Sequence, residues 1–370
     1  MLLWVICVAL VAGAFAGWMA ARAVVQTPVA PVASSPSTPP KTAPTSTTPA
    51  VEIVPVVRRS AGALVFPSTF TARRISPVIA LAKKGSGGEE SVVTEEQEVG
   101  RAVAMTNDGW IVTPLSALRG LRVADLVALW KGRAYPIKKA IRDTTTDAVF
   151  LKTDIADLPT VAFVASTDFE SGLAVFVEPD ASRIYPEALV DERLPAINDL
   201  VSSERAIRRL IVSGQAGGRG VGGAVWDERG QLVGLLESWR ANGWSVLPAN
   251  DLDAALASLL ANGEIRHAAL QIRGTDLSRV TFERTTKNLP VLGFWLRATV
   301  SANGPAAKLL RDGDVIERVE RDVLDGTADL GERLLDYRPG TQVSLSGSRN
   351  GQPFTVTATL GSVVTSETIK

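Results

Sequence analysis

The chain is poor in the residues on which much site chemistry depends. It has one cysteine, Cys7, which excludes an intramolecular disulfide and a cluster of thiolate metal ligands. It has one histidine, His267. Any mechanism that needs two imidazoles is excluded, and a Ser-His-Asp mechanism must use His267 or nothing. Neither charge is in excess, with Lys+Arg and Asp+Glu at 39 each over 370 residues. Without a basic surplus there is little long-range pull on phosphate backbones, so nucleic acid is not an expected partner. No pattern calls for a metal or any other cofactor.

What is present divides the chain. Residues 1–21 (MLLWVICVALVAGAFAGWMAA) carry no ionisable side chain except the Cys7 thiol. As a helix they would reach about 31 Å, enough for a hydrocarbon core of roughly 30 Å. Two readings stay open for 1–25. One is an uncleaved membrane anchor. The other is a cleaved signal peptide, favoured by the Ala21-Arg22-Ala23 stretch but lacking a basic start. Residues 26–56 hold Pro28, Pro31, Pro36, Pro39, Pro40, Pro44, Pro49 and Pro55 among Thr, Ser, Ala and Val. This is an extended linker, semi-rigid where the prolines cluster. The remainder is long enough for two domains of roughly 100–200 residues.

From Val57 to about Pro248, short apolar runs alternate with turn residues. Ser76–Ala82 is an expected strand and Lys83–Glu98 an acidic, Gly-bearing loop. Gly100–Thr106 and Trp110–Thr113 flank Asn107-Asp108-Gly109 as a hairpin. Asp125–Trp130 and Ala134–Ile141 form another over Lys131-Gly132. Ala148–Leu151, Ala174–Val177 and Gln231–Leu236 are further strands. Asn250–Asn262 is predicted to be a helix capped by Asn250, with Leu252, Leu256, Leu259 and Leu260 as its apolar stripe. The class is mainly β, a barrel or sandwich.

Three stretches in this region resemble the HtrA (Deg) type of trypsin-like serine protease. Gly109–Ala117 (GWIVTPLSA) is similar to the family's G-Y-I-L-T-N-x-H-V, which ends in the catalytic histidine. Arg142–Lys152 (RDTTTDAVFLK) is similar to R-D-x-x-T-D-L-A-L-L-K, which carries the catalytic aspartate. Gly217–Gly234 (GGRGVGGAVWDERGQLVG) is similar to N-P-G-N-S-G-G-P-L-x-x-x-x-G-x-x-x-G, which carries the nucleophile. Ser245–Asn250 (SVLPAN) is similar to the F-A-I-P-x-x run before the closing helix. The resemblance implies a trypsin-like double β-barrel over 57–263. It places the histidine on Ser116, the aspartate on Asp147 and the nucleophile on Val221.

Those replacements bear on the chemistry. Valine has no nucleophilic atom, and a serine hydroxyl is too weakly basic to take a proton near pH 7. The glycine run 217–223 keeps the backbone freedom of an oxyanion loop, vestigial at Arg219, Gly220 and Gly222, or is simply a turn that packs the barrel. A Ser-Lys dyad of Ser213 or Ser116 with Lys152 has no pattern behind it. The resemblance puts His267 in an interdomain segment remote from Asp147, as a hinge or surface residue. Asp147 is expected to cap a turn through Thr145 or Thr146, or to accept from Ser116.

Residues 264–361 resemble a PDZ domain. Gly304-Pro305-Ala306-Ala307-Lys308 and Asp312-Gly313-Asp314-Val315-Ile316 are similar to its G-S-P-A-A…G-D-V-I core, and Gly293–Leu296 to the strand before it. Thr327–Tyr337 is the expected second helix, stopped by Pro339-Gly340. Gln342–Leu345 and Phe354–Leu360 close a hairpin over Arg349-Asn350-Gly351. The resemblance implies capture of a peptide C-terminus as an added strand, its carboxylate held by backbone N–H groups. The matching loop is Leu270-Gln271-Ile272, with Gln271 where the family has glycine; Val291–Phe294 is the alternative. Leu330 and Leu334 are expected to line the groove or to pack the core. Residues 362–370 are expected to be a flexible tail.

The expectation is therefore a mainly β chain with a trypsin-like double barrel, a PDZ-like α+β domain and an N-terminal transmembrane or signal helix. Its body stands outside the cytoplasm of a bacterial cell. Its triad is degenerate, and it binds peptide C-termini or unfolded proteins. Homo-oligomers, or mixed oligomers with HtrA-type proteases, are implied partners. The alternative is an active endopeptidase that degrades misfolded envelope proteins.

Overall fold

The computed structural model describes residues 76–85, 93–164, 171–190, 200–206, 208–214, 220–240, 243–280, 290–298 and 303–369. The apolar head, the proline-rich linker, residues 86–92 of the acidic loop and Arg219 lie outside the described residues. Among the described residues no helix is long and apolar enough to cross a membrane.

The first sheet is built from β1 (Val78–Lys83), β2 (Glu98–Ala104), β3 (Trp110–Pro114), β4 (Leu126–Trp130), β5 (Arg133–Pro136), β6 (Lys139–Asp143) and β7 (Ala148–Lys152). Both anticipated hairpins form. Val103 pairs with Val112 across β2 and β3, and Leu129 with Ala134 across β4 and β5. Lys131 and Gly132 have φ of +46° and +74°, the left-handed geometry of a two-residue hairpin turn. The second expected hairpin strand ends at Pro136, however, and β6 departs to pair with β7. Proline cannot donate to a ladder, which suits a short edge strand.

A second set, β8 (Ala174–Asp180), β9 (Arg183–Val190), β11 (Leu210–Ser213), β12 (Ala224–Trp226), β13 (Leu232–Arg240) and β14 (Gly243–Pro248), closes into a barrel. The short β10 (Val201–Ser202) lies in the connection between β9 and β11 but does not join it. Helix α1 (Asn250–Asn262) follows. It ends at Gly263, whose φ of +73° and N–H bond to the Leu259 carbonyl make an αL cap. Its N-cap position is Ala249 with no side-chain cap, so Asn250 is the first helical residue rather than the cap. Leu252, Leu256 and Leu259 are buried, but Leu260 is 53% exposed and leaves the stripe. These leucines join Val112, Phe150, Trp226, Leu235 and Leu247 in one cluster, so a single core runs from the first sheet into the barrel. At about 1.5–3 kcal/mol per large buried side chain, that continuity fixes the two β bodies together.

A third sheet holds β16 (Arg273–Asp276), β17 (Phe294–Ala298), β18 (Val315–Val319), β19 (Asp322–Val323), β20 (Gln342–Arg349) and β21 (Gln352–Thr359). Helix α2 (Leu330–Leu335) is shorter than the expected Thr327–Tyr337, and the Asp329 side chain caps it by accepting from the Glu332 N–H. Strand β15 (Arg266–Ala269) pairs with β22 (Gly361–Val364), and β23 (Ser366–Thr368) pairs with β6 of the first sheet. The expected flexible tail is thus corrected. Its residues supply strand hydrogen bonds to two different sheets. β10 likewise crosses over, pairing antiparallel with β16 at the far edge of the third sheet.

Candidate functional site

The sheets bring the three reactive positions of the resemblance around Gly100 and Arg101 of β2. A Cβ on Gly100 would sit 3.1 Å from Ala117 Cβ and 3.2 Å from the Val221 carbonyl oxygen, and the Arg101 N–H donates to that same oxygen at 2.7 Å. The Leu115 N–H donates to the Asp147 carbonyl at 2.9 Å. Ser116, Asp147 and Val221, far apart in sequence, therefore stand on adjoining turns.

Each is committed to a structural partner. Ser116, on the turn after β3, donates its hydroxyl to the Glu237 carbonyl at 2.6 Å. The Glu237 carboxylate accepts from Arg209 Nε at 2.9 Å and from Ser245 Oγ at 3.1 Å. Arg209 Nη2 reaches the Thr146 carbonyl at 3.0 Å. A buried guanidinium thus bridges β13 and the turn that carries Asp147. Asp147 has φ +66° and accepts from Arg142 Nη2 at 2.5 Å and Arg205 Nη2 at 3.2 Å. It does not cap its turn, and Ser116 donates elsewhere. The cap is Asp143, which accepts from the Thr145 N–H at 3.1 Å and Thr146 Oγ1 at 2.9 Å.

Val221 packs its side chain against the barrel cluster of Val175, Val177 and Val212. Gly222 has φ +86°, and a Cβ there would meet the Arg101 carbonyl oxygen at 1.8 Å. Its N–H donates to the Leu236 carbonyl at 2.6 Å, while the Gly220 carbonyl accepts from the Gly223 N–H at 2.9 Å. The turn that the resemblance identifies with an oxyanion loop has its Gly222 donor used inside the barrel.

His267 corrects the expectation of a hinge or surface residue. It sits on β15 with its side chain 4% exposed, and Nε2 lies 3.0 Å from Asp143 Oδ2, whose side chain is fully buried. The ring reaches the same turn as Asp147 but engages its first aspartate. Burial alone would push the Asp143 carboxyl up; the His267 hydrogen bond and charge, with the Thr145 N–H, hold it below the usual range. Sequence spacing gives no sign of this pair, because 124 residues separate the partners.

The loop Leu270-Gln271-Ile272 joins β15 to β16. Gln271 has φ +57°, the left-handed conformation that glycine adopts without cost. Leu270 and Ile272 are buried with Leu330 and Leu334 in one cluster, so those helix leucines pack the core. Gly331 of α2, which sequence reading missed, lies against the 205–206 backbone of this same chain: a Cβ there would meet the Arg205 carbonyl oxygen at 2.3 Å. Val291, in the alternative loop, is 84% exposed just before β17. Glu332 beside Gly331 is pushed up to about 7 by burial and by Asp329, against the lowering effect of Arg208 at 3.1 Å. Among the described residues no group of three or more His, Cys, Asp or Glu side chains is placed to hold a metal.

No family model matches the chain. It is 26% identical over 285 residues to a probable periplasmic serine endoprotease, DegP-like, of Halomonas elongata, covering 74% of this chain and 58% of the relative. It is 30% identical over 146 residues to the periplasmic pH-dependent serine endoprotease DegQ of Escherichia coli, covering 38% of this chain and 32% of that protein. The match to a serine protease Do-like HtrA of Lactobacillus helveticus is 26% over 266 residues, covering 66% and 63%. The chain therefore spans little more than half, or less, of the first two relatives. Among solved structures, the HtrA-type protease AlgW with a decapeptide superposes with a TM-score of 0.53 at 19% identity, over 78% of this chain and 96% of that one. That likeness establishes the trypsin-like fold.

Proposed function

We propose that this chain, which belongs to the HtrA/DegP-like serine protease family, is a catalytically inactive member that acts as a peptide- or protein-binding scaffold in envelope protein quality control. The observation that carries the reading is the replacement of both reactive groups. The position of the base holds Ser116, its hydroxyl donated to a carbonyl, and the position of the nucleophile holds Val221. Acyl transfer needs an attacking oxygen and a base in reach of its proton, and removing either takes away most of the rate because they act as a unit. The use of the Asp147 carboxylate by two arginines supports the same reading.

In this reading residues 57–263 form the protease-like body and 264–361 a PDZ-like module, with 1–25 as a membrane anchor or signal segment and 26–56 as a spacer. Homologues named as periplasmic support a body outside the cytoplasm. A fluorophosphonate probe tests the proposal. The purified chain is expected to stay unlabelled and to leave casein intact; stoichiometric labelling of any serine, or cleavage lost on Asp147→Asn, overturns it. Restoring Ser116→His with Val221→Ser is expected to yield no efficient protease, since Asp147 remains held by Arg142 and Arg205.

A further inference from the structure

The sheet edge beside the Leu270-Gln271-Ile272 loop is already covered by this chain. β10 pairs antiparallel with β16, Val201 opposite Gly274 and Ser202 opposite Arg273. The ladder continues past the strand: the Ser203 N–H donates to the Ile272 carbonyl at 3.0 Å, and the Ile272 N–H donates to Ser203 Oγ at 3.2 Å. At its end the Glu204 side chain enters the loop. Glu204 Oε1 accepts from the Leu270 N–H at 3.1 Å and the Gln271 N–H at 2.7 Å. Ser203 Oγ donates to the same oxygen at 2.6 Å, and Ser202 Oγ to Oε2.

The other wall is α2. With no side chain on Gly331, the Arg205–Ala206 backbone lies directly on the helix. Beyond it, the Arg208 N–H donates to Asp329 Oδ2 at 3.0 Å and the Arg208 guanidinium pairs with Glu332. A segment that adds as an antiparallel strand, passes between sheet edge and helix and ends with a carboxylate on two consecutive loop N–H groups has the form of a bound peptide terminus. Here the terminal carboxylate is replaced by a glutamate side chain.

We infer that residues 200–206 are a built-in ligand that closes the peptide groove of the PDZ-like module, with Glu204 in the place of a peptide's α-carboxylate. The inference rests on reading that module as a peptide-carboxylate groove. It follows that an external peptide must compete with a segment present at the high effective concentration of a short tether. The charge and the loop N–H donors are matched, so removal of the Glu204 carboxylate opens the loop without altering it. An incoming peptide needs a free α-carboxylate to meet the Leu270 and Gln271 N–H groups.

The probe is a fluorescein-labelled peptide ending Asn-Leu-Val-Ser-Val with a free carboxylate, alongside its C-terminal amide. Binding to the purified full chain is read by fluorescence anisotropy for the parent, Glu204→Ala and Glu204→Gln, with thermal unfolding by circular dichroism to show that each is folded. At least tenfold tighter binding to both variants than to the parent, lost with the amide, is the expected result. Equal binding to parent and variants overturns the closure but leaves the groove reading standing. No binding to any folded form overturns both. A readout independent of the variants is hydrogen exchange in the parent without peptide. Slow exchange at 270–274 is expected, and exchange at the rate of an exposed loop overturns the closure.

Discussion

Replacing His267 by phenylalanine tests what the only imidazole does. The ring is removed from a carboxylate that is itself fully buried, leaving Asp143 with the Thr145 N–H and Thr146 Oγ1 as remaining donors. Breaking a buried pair by deleting one partner costs about 3–5 kcal/mol, because the survivor keeps its desolvation penalty. For a body of this size each kcal/mol moves Tm by roughly 2–4 °C, so a fall of about 6–20 °C is expected. Replacing both partners, Asp143→Asn with His267→Phe, leaves no buried charge and is expected to recover part of the loss. The pH profile carries a signature of its own. The Asp143 carboxyl is held low in the folded chain, so its contribution is present above the ordinary aspartate value near 3.8 and is lost as pH falls through the folded value. Asp143→Asn should remove that acid limb. The assay is thermal unfolding between pH 3 and 7 for parent, singles and double. A His267→Phe Tm within about 2 °C of the parent, or an unchanged acid limb in Asp143→Asn, refutes the reasoning. In that case the pair is not holding β15 to the Asp147 turn.

Three other substitutions probe separate parts. Gly222→Ala brings a Cβ to 1.8 Å from the Arg101 carbonyl at φ +86°, whereas Gly132→Ala at φ +74° meets nothing within 4 Å. The second is expected to cost about 1–2 kcal/mol in urea unfolding and the first well beyond that. Gln271→Gly releases a side chain from the left-handed region and should stabilise by about 1 kcal/mol, read as a higher urea midpoint. Glu332, pushed up to about 7, favours its neutral form in the folded chain. Its contribution is therefore complete below the ordinary value near 4.5 and is lost as pH rises to about 7, so parent stability relative to Glu332→Gln should fall over that interval and then level off.

The sequence by itself determined what is local. Asn107-Asp108-Gly109, Lys131-Gly132 and Arg349-Asn350-Gly351 carry their turn chemistry within a few residues, so the flanking hairpins were legible. The short runs around Ser116, Asp147 and Val221 were legible through their resemblance to a trypsin-like barrel, and the fold is of that kind; the loss of base and nucleophile at Ser116 and Val221 remains part of the proposal. Helix α1 was legible from its leucine spacing, apart from its first residue and Leu260.

Only the tertiary structure decided the partners. A polar side chain does not disclose in sequence which distant strand will present its acceptor. Thus Ser116 turned to Glu237, His267 to Asp143 and Glu204 to the 270–271 loop, across separations of 121, 124 and 66 or more residues. Strands as short as β10 and β23 have too few residues for a period to register, and the N–H and C=O groups of a waiting sheet edge recruit them regardless of side-chain pattern. The pairing of β10 with β16 is of this kind. It arises because a connection between two barrel strands runs past an open edge, a fact of topology that no run of adjacent residues records.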